Sequence, residues 1–294
     1  MKRILVTGAA GRVGRNIVRR LAKENVEVRL TFSAPKERAA MPGGAGAMVA
    51  NYNDAERMRH AFSSIDAAFV YAPDAHASEA LFNVARQAGV RQVVLLSSAS
   101  VSKAPPGDNP IAERHRAAEN AVRSAGLDWT FIRPDTLASN CLQWAPGIRS
   151  ERRVYTPYPE SKRSAVHEDD VAMLAVSSLL GTQNVGRILE ITGGCLLSIR
   201  EQVNTIAEQL GCAVECVQIS HEEALRRMTA NPAQSPQAAA RILDYLKKSV
   251  TLPPRLTDEF EQAMGRAPRS FSEWVADNLA DFQGAASIVF KDHS

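Results

Sequence analysis

The sequence predicts an α/β fold, a doubly wound parallel sheet carrying a smaller, mostly helical lobe. Three observations predict it. Residues 2–21, KRILVTGAAGRVGRNIVRRL, read as strand, glycine turn and helix in succession. Strand-like and helix-like patterns then alternate as far as Pro134, which calls for parallel strands joined by helical crossovers. Beyond Pro134 the alternation falters and helical periodicity takes over, marking the lobe.

In the opening stretch Ile4, Leu5 and Val6 form a short buried strand ending at Thr7. Gly8, Gly11 and Gly14 follow at intervals of three, and Val13, Ile17, Val18 and Leu21 recur at helical spacing, so a helix starts inside the turn. Glycines lack Cβ and let backbone N–H groups approach a pyrophosphate, whose charge the positive helix end favours. Gly8, Ala10, Gly11, Arg12, Val13 and Gly14 are therefore candidates for a dinucleotide site in a Rossmann-type core. The alternative is a tight turn without chemical purpose.

Val26–Phe32 is the second strand and completes a βαβ unit. A carboxylate some twenty residues beyond the glycines would hold a ribose 2′-hydroxyl and repel a 2′-phosphate. This strand ends instead at Ser33, followed by Lys36 and Arg38, with no acid before Glu37. With Arg12 able to reach the same place, hydroxyl and cations suit a phosphate, so NADPH/NADP is the expected cofactor. Otherwise Lys36 and Arg38 merely solvate a loop.

Ala47–Ala50 reads as a third strand, and Asp54 caps a helix running to Phe62. The fourth strand, Ala67–Tyr71, leads into Ala72 and Pro73. Tyr71, Ala72 and Pro73 then lie at the carboxyl edge, where open α/β sheets bind ligands. A helix from His76 to Ala88 stops at Gly89, and Arg91–Leu96 is a fifth, fully buried strand. It runs into Ser97, Ser98 and Ser100, then a mobile loop rich in Pro, Gly and Asp as far as Pro110. Ile111–Ala125 is a helix stopped by Gly126, and Trp129–Arg133 is a sixth strand broken by Pro134.

Asp135–Lys162 shows little strand pattern. Alternation resumes with a strand at Ala165–His167, an Asp-capped helix Asp169–Leu180 and a strand Arg187–Ile191. Ser198–Leu210 is a helix with a capping box to Glu201, Val214–Ile219 a strand, and the remainder mostly helix, including 258–264 and 272–282. The expected organisation is a core of residues 1–134 and 164–194, a substrate lobe of 135–163 and 195–283, and a poorly anchored tail of 284–294. The lobe would leave a cleft over the strand ends for a substrate.

Composition excludes several classes. A net charge of +3 with interspersed signs leaves no nucleic-acid footprint. The longest apolar runs fall far short of the ~20 residues that span a bilayer. The first strand starts at once and leaves no room for a signal peptide, and Cys141, Cys195, Cys212 and Cys216 are too irregular for a disulfide framework or a zinc site. A cytoplasmic protein without metal is expected. His167 beside Glu168, Asp169 and Asp170 only imitates a metal cluster.

The turn TGAAGRVG resembles the TGxxGxxG turn of the short-chain dehydrogenase/reductase superfamily, and the chain resembles its atypical NmrA-like members. AGVRQVVLLSS is similar to their fifth strand and preceding helix. SAGLDWTFIRP is similar to their sixth strand, whose Arg-Pro ending puts Pro134 among the cofactor-binding residues. VHEDDVA, ITGGCLLS and GRAPRSFSEWVADNLADF match later landmarks. The resemblance covers nearly the whole chain. It implies reductases of quinones, ketones and other acceptors, or redox sensors that bind cofactor without turnover.

Ordinary superfamily members use a serine after the fifth strand and a YxxxK pair on the next helix. Ser98 matches the serine, with Ser97 as runner-up. Aligning that helix on Glu119 places His115 at the lysine and Ile111 at the tyrosine, so the usual acid is missing. Ser98 would donate a hydrogen bond to the acceptor oxygen. The proton would come from His115, a serine-bound water, Tyr155, Tyr158 or an acidic hydroxyl of the substrate; His115 could instead steady a ribose hydroxyl, or be a neutral helix histidine with a structural hydrogen bond. Trp144, Tyr155, Tyr158 and Phe32 would suit a flat ligand, or pack a core. The expected activity is an NADPH-dependent reduction of a ketone or quinone on an aromatic, polyketide-like small molecule. The alternative is a cofactor-sensing regulator.

Overall fold

The computed structural model describes residues 1–39, 46–230 and 235–283, and the expected tail 284–294 lies outside them. Its contacts divide the chain into two units. The first comprises Met1–Leu137, Val166–Thr192 and Thr257–Pro268. Within it β1 (Lys2–Val6), α1 (Arg12–Leu21), β2 (Val26–Phe32), α2 (Pro35–Ala39), β3 (Ala47–Val49), α3 (Ala55–Phe62) and β4 (Ala67–Tyr71) follow in order. Next come α4 (Ala75–Gln87), β5 (Gln92–Leu96), α5 (Ser100–Lys103), α6 (Pro110–Ser124) and β6 (Asp128–Pro134).

With the strand Arg187–Ile191, the six strands form a seven-stranded parallel sheet ordered Arg187–Ile191, β6, β5, β4, β1, β2, β3. β1 lies between β2 and β4, so strand order reverses at its carboxyl end, where such sheets open a crevice. Both faces are covered, as parallel sheets require. Ile4, Val6, Phe69 and Ile132 pack with α1 and the helix Glu168–Leu180 on one face. Leu5, Val70, Leu95 and Phe131 pack with α3, α4 and α6 on the other. Asp54 caps α3 by accepting the Arg57 N–H at 3.0 Å.

The second unit comprises Ala138–Ala165, Gly193–Leu256 and the described residues from Arg269 onward. Helices Ile199–Leu210, His221–Thr229, Pro236–Thr251 and Phe271–Asp277 dominate it. They bury Ile148, Val203, Trp274 and Phe282. Strand Arg153–Thr156 pairs in parallel with Glu215–Gln218, and Lys162–Arg163 pairs antiparallel with Leu197–Ser198. Ser198 and Glu201 form the capping box read from the sequence.

Four local features extend or correct the expectations. The stretch after Pro134 folds as a 3₁₀ helix, Ala138–Trp144, and a helix, Ala145–Glu151, begun by Pro146 in its first turn. The loop toward Pro110 contains α5, whose end carbonyls at Val101 and Ala104 accept from Arg116. Helix Glu168–Leu180 is capped by His167, not by an aspartate: Nδ1 of His167 accepts the Asp169 N–H at 3.0 Å. Residues 257–268, assigned to the lobe on sequence, group with the sheet, because Phe260 is buried in its core and Glu259 accepts the Glu190 N–H at 2.9 Å. Among the described residues no helix is long and apolar enough to cross a membrane.

Candidate active site

The glycine turn sits at the crevice end of β1. Thr7 N–H donates to the Phe69 carbonyl at 3.0 Å and Ala9 N–H to the Thr31 carbonyl at 3.1 Å, tying the turn to both neighbouring strands. Gly8 has φ +57°, a conformation that side chains with Cβ adopt at a cost. A Cβ on Gly14 would stand 2.4 Å from the Gly8 carbonyl oxygen. Gly14 therefore lets the first turn of α1 rest on the backbone leaving β1.

Tyr71 fills the underside of this turn. Its hydroxyl accepts the Gly14 N–H at 3.0 Å; a Cβ on Gly8 would meet its ring Cδ2, and one on Gly11 its hydroxyl oxygen, each at 2.8 Å. Burial pushes its phenol up to about 12, so it stays protonated and acts as a helix cap. Sequence placed Tyr71 at the cofactor edge as a small-residue neighbour, and the structure gives it this supporting role instead. Thr7 Oγ1 hydrogen bonds the hydroxyl of the half-buried Tyr52 at 2.7 Å and accepts the Tyr71 N–H at 3.3 Å. Tyr52 had no signal in the sequence beyond its β-strand neighbourhood.

The open side of the turn fits an anionic pyrophosphate. Gly11 and Arg12 are exposed at the start of α1, Gly11 offers no side-chain cap, and no acid occupies the first helical turn. The Val13 side chain is buried in the core, leaving its backbone alone for a ligand. Ala10 accepts Arg15 Nε at 2.7 Å through its carbonyl.

At the end of β2 the geometry gives a part to Glu37, which the sequence reading noted but left unused. The Ser33 N–H and hydroxyl both donate to the Glu37 carboxylate, at 2.9 and 2.7 Å. These hydrogen bonds hold Glu37 below the usual carboxylate range. Lys36 and Arg38 are exposed on the same short helix. Ser33, expected on sequence to face a 2′-phosphate, is thus already bonded to an acid. The spacing S-x-x-x-E, one helical turn, was the available signal. Glu37→Gln is expected to raise the preference for NADPH over NADH about tenfold, by removing one charge that repels the 2′-phosphate. Dissociation constants of both cofactors measure it, and an unchanged ratio would contradict the assignment.

The remaining candidates divide. Ala72 and Pro73 are buried beyond β4, and their carbonyls accept from Arg114 at 2.6 and 3.4 Å. Pro134 is buried at the end of β6, with its carbonyl accepting the Ala99 N–H at 3.1 Å. Ser97 points away from the crevice: its hydroxyl donates to Glu119 Oε1 at 2.6 Å inside a buried cluster. There Arg133 grips both Glu119 oxygens, at 2.8 and 2.6 Å, and reaches Glu190 at 3.1 Å. Ser98 is half-buried, and its hydroxyl oxygen accepts from Ser100, through N–H at 3.2 Å and Oγ at 2.9 Å. That turn leaves its own O–H proton to give.

α6 carries Ile111 and His115 and contains neither tyrosine nor lysine. His115 Nδ1 is buried and has no hydrogen-bond partner among the described residues. Burial, with Arg114 adding repulsion, lowers its pKa to about 4, so the imidazole is neutral at physiological pH. A neutral imidazole is a far weaker acid than imidazolium, which counts against the proton-donor role expected of it on sequence. The aromatic residues also separate. Phe32 is fully buried in the sheet core. Tyr155 donates to Glu151 at 2.7 Å under the Arg227 guanidinium, and Tyr158 bonds His221 Nδ1 at 2.9 Å. Trp144 is buried beneath Arg163.

A parallel sheet whose strand order reverses at a glycine turn, with an open cationic helix end beside it, defines a dinucleotide-binding protein. Residues 8–181 match the NAD(P)H-binding family, and the chain belongs to that family. It is an NAD(P)H-dependent oxidoreductase. It is 32% identical to (4-alkanoyl-5-oxo-2,5-dihydrofuran-3-yl)methyl phosphate reductase of Streptomyces griseus subsp. griseus, over 95% of this chain and 99% of that protein. It is 28% identical to NAD(P)H azoreductase of Xenophilus azovorans, over 96% of this chain and all of that one. Among solved structures it is similar in fold to an NADPH-dependent quinone oxidoreductase from Escherichia coli complexed with NADPH. That match has a TM-score of 0.77 and 18% identity, and covers 94% of this chain and 99% of that chain.

Proposed function

We propose that the protein is an NADPH-dependent reductase that delivers hydride to the carbonyl system of a quinone or a conjugated ketone on a flat small molecule. An aromatic polyketide ketone with a neighbouring phenol belongs to this class. The observation that carries the reading is the neutral His115 on a helix without tyrosine. When bound, the reduced nicotinamide supplies hydride. Hydride addition to a simple ketone leaves an alkoxide about as basic as hydroxide, which needs a protein acid. Addition to a quinone leaves a phenolate, whose conjugate acid ionises near pH ~10, and a β-hydroxyaryl ketone brings its own proton. Ser98, with its hydroxyl proton uncommitted, would donate to the developing oxyanion. The relatives' names point the same way, since a dihydrofuranone, an azo group and a quinone are all conjugated acceptors. For the cofactor, Arg12, Lys36 and Arg38 would together outweigh the charge of Glu37 on a 2′-phosphate and favour NADPH.

The test follows NADPH oxidation against quinones, β-hydroxyaryl ketones and plain ketones. The first two should turn over and the last should not, whereas equal turnover of plain ketones would require a protein acid. His115→Ala is expected to cost less than tenfold in kcat, against the 10²–10⁴-fold of a true general acid. The kcat/KM profile should show no inflection near pH ~6.5. A hundredfold loss would restore His115 as the donor.

A further inference from the structure

Two arginines are buried among the described residues, and they are treated differently. Arg133, 8% exposed, places its Nε–Nη2 edge on the Glu119 carboxylate. The half-buried Arg20 does the same to Asp169, at 2.9 and 2.6 Å. That edge is the one whose parallel N–H groups match two oxygens of one oxyanion. Arg163, 6% exposed on the strand Lys162–Arg163, buries the same two atoms, and neither Nε nor Nη2 has a hydrogen-bond partner among the described residues. Its guanidinium lies over the Trp144 ring, Cζ 5.6 Å from the centroid.

A guanidinium cannot shed its proton to escape burial, and a buried charge without acceptors is strongly unfavourable. The Trp144 ring face attracts the charge but supplies no acceptor for the edge. A bound oxyanion would supply both acceptors and the opposite charge. We propose that Arg163, held against Trp144, is an anion-recognition residue of the second unit and takes the phosphate monoester or carboxylate of a small molecule edge-on. The phosphate-bearing compound in the name of the Streptomyces relative makes the monoester the first choice. The proposal goes beyond the reductase reading, and its binding test stands apart from turnover.

Phenyl phosphate, benzoate and phenol are titrated calorimetrically into the full chain saturated with NADP⁺, so that the cofactor's own phosphate sites are filled. Wild type should bind phenyl phosphate, benzoate more weakly, and phenol not measurably. Benzoate binding tighter than phenyl phosphate would transfer the site to carboxylates and overturn the monoester choice. Arg163→Met should weaken phenyl phosphate at least about 30-fold, and Arg163→Lys, which keeps charge but loses the fork, should fall between. Without ligand, the Met variant should melt at or above wild type, because an unpaired buried charge is gone. Equal binding of phenol and phenyl phosphate by wild type, or undiminished binding by Arg163→Met, overturns the proposal. So does a Met variant that melts well below wild type, which would make Arg163 structural. Wild-type NADPH oxidation with a neutral quinone tests the reductase reading separately, since its failure leaves the titration to decide the subsite.

Discussion

Gly14→Ala is expected to weaken NADPH binding by at least about a hundredfold and to destabilise the fold by about 1–3 kcal/mol. The new Cβ would stand 2.4 Å from the Gly8 carbonyl oxygen and 3.0 Å from Ala9 Cα. Both are backbone atoms pinned by the hydrogen bonds of Thr7 to Phe69 and Ala9 to Thr31, so neither can yield like a flexible side chain. α1 has to lift instead, carrying the helix end away from the phosphate position and pulling Gly14 N–H off the Tyr71 hydroxyl. Fluorescence titration with NADPH and a thermal melt measure the two effects. Gly126→Ala is the control. It has φ +67° with nothing within 4 Å, so it should cost about 1 kcal/mol and leave cofactor affinity alone. A Gly14→Ala protein with unchanged affinity would mean that the turn does not hold the cofactor.

The second large effect is expected from Arg133→Met. Glu119 is 1% exposed and would lose its bidentate partner, keeping the Ser97 hydroxyl and an Arg123 contact at 3.7 Å. Breaking a buried pair from one side costs about 3–5 kcal/mol, or roughly 10 °C in Tm for a chain of this size. Ser97 is anchored on Glu119 and adjoins Ser98, so kcat should fall along with stability. The double variant Arg133→Met with Glu119→Leu should recover much of the lost stability, because no buried charge is left unpaired. If it melts no higher than the single variant, the loss comes from packing and the ion pair is not its cause.

His115 also gives acid a hold on the fold. Its pKa is lowered on folding, so between about 6.5 and about 4 the unfolded chain binds a proton that the folded chain refuses. The contribution of His115 is therefore whole above that window and lost as pH falls through it.

What could be read from the sequence was whatever declares itself locally. β2, β4 and the strand Arg187–Ile191 match their expected bounds, because a short apolar run between turn residues is a local statement. Asp54 and the Ser198–Glu201 box are equally local. Residues 138–151 escaped because a 3₁₀ stretch followed by a two-turn helix is too short to establish a period. The site was legible at the glycine turn and not beyond it. Whether Ser97 or Ser98 faces the crevice depends on Glu119, 22 residues away, and the charge of His115 depends on burial. Arg163 carried no signal at all, since its distinction is a missing partner.

The sheet unit is assembled from three separate stretches of chain, the last being Thr257–Pro268, and this sets an order on its synthesis. Phe260, 1% exposed in the core, and Glu259, on the Glu190 N–H, emerge from a ribosome after nearly all of the second unit. At the usual ~5–20 residues per second, β1 and its glycine turn wait tens of seconds for the segment that completes their core. The nascent nucleotide fold must therefore persist unfinished through most of translation, and a chain stopped at Leu256 would leave it without its last piece.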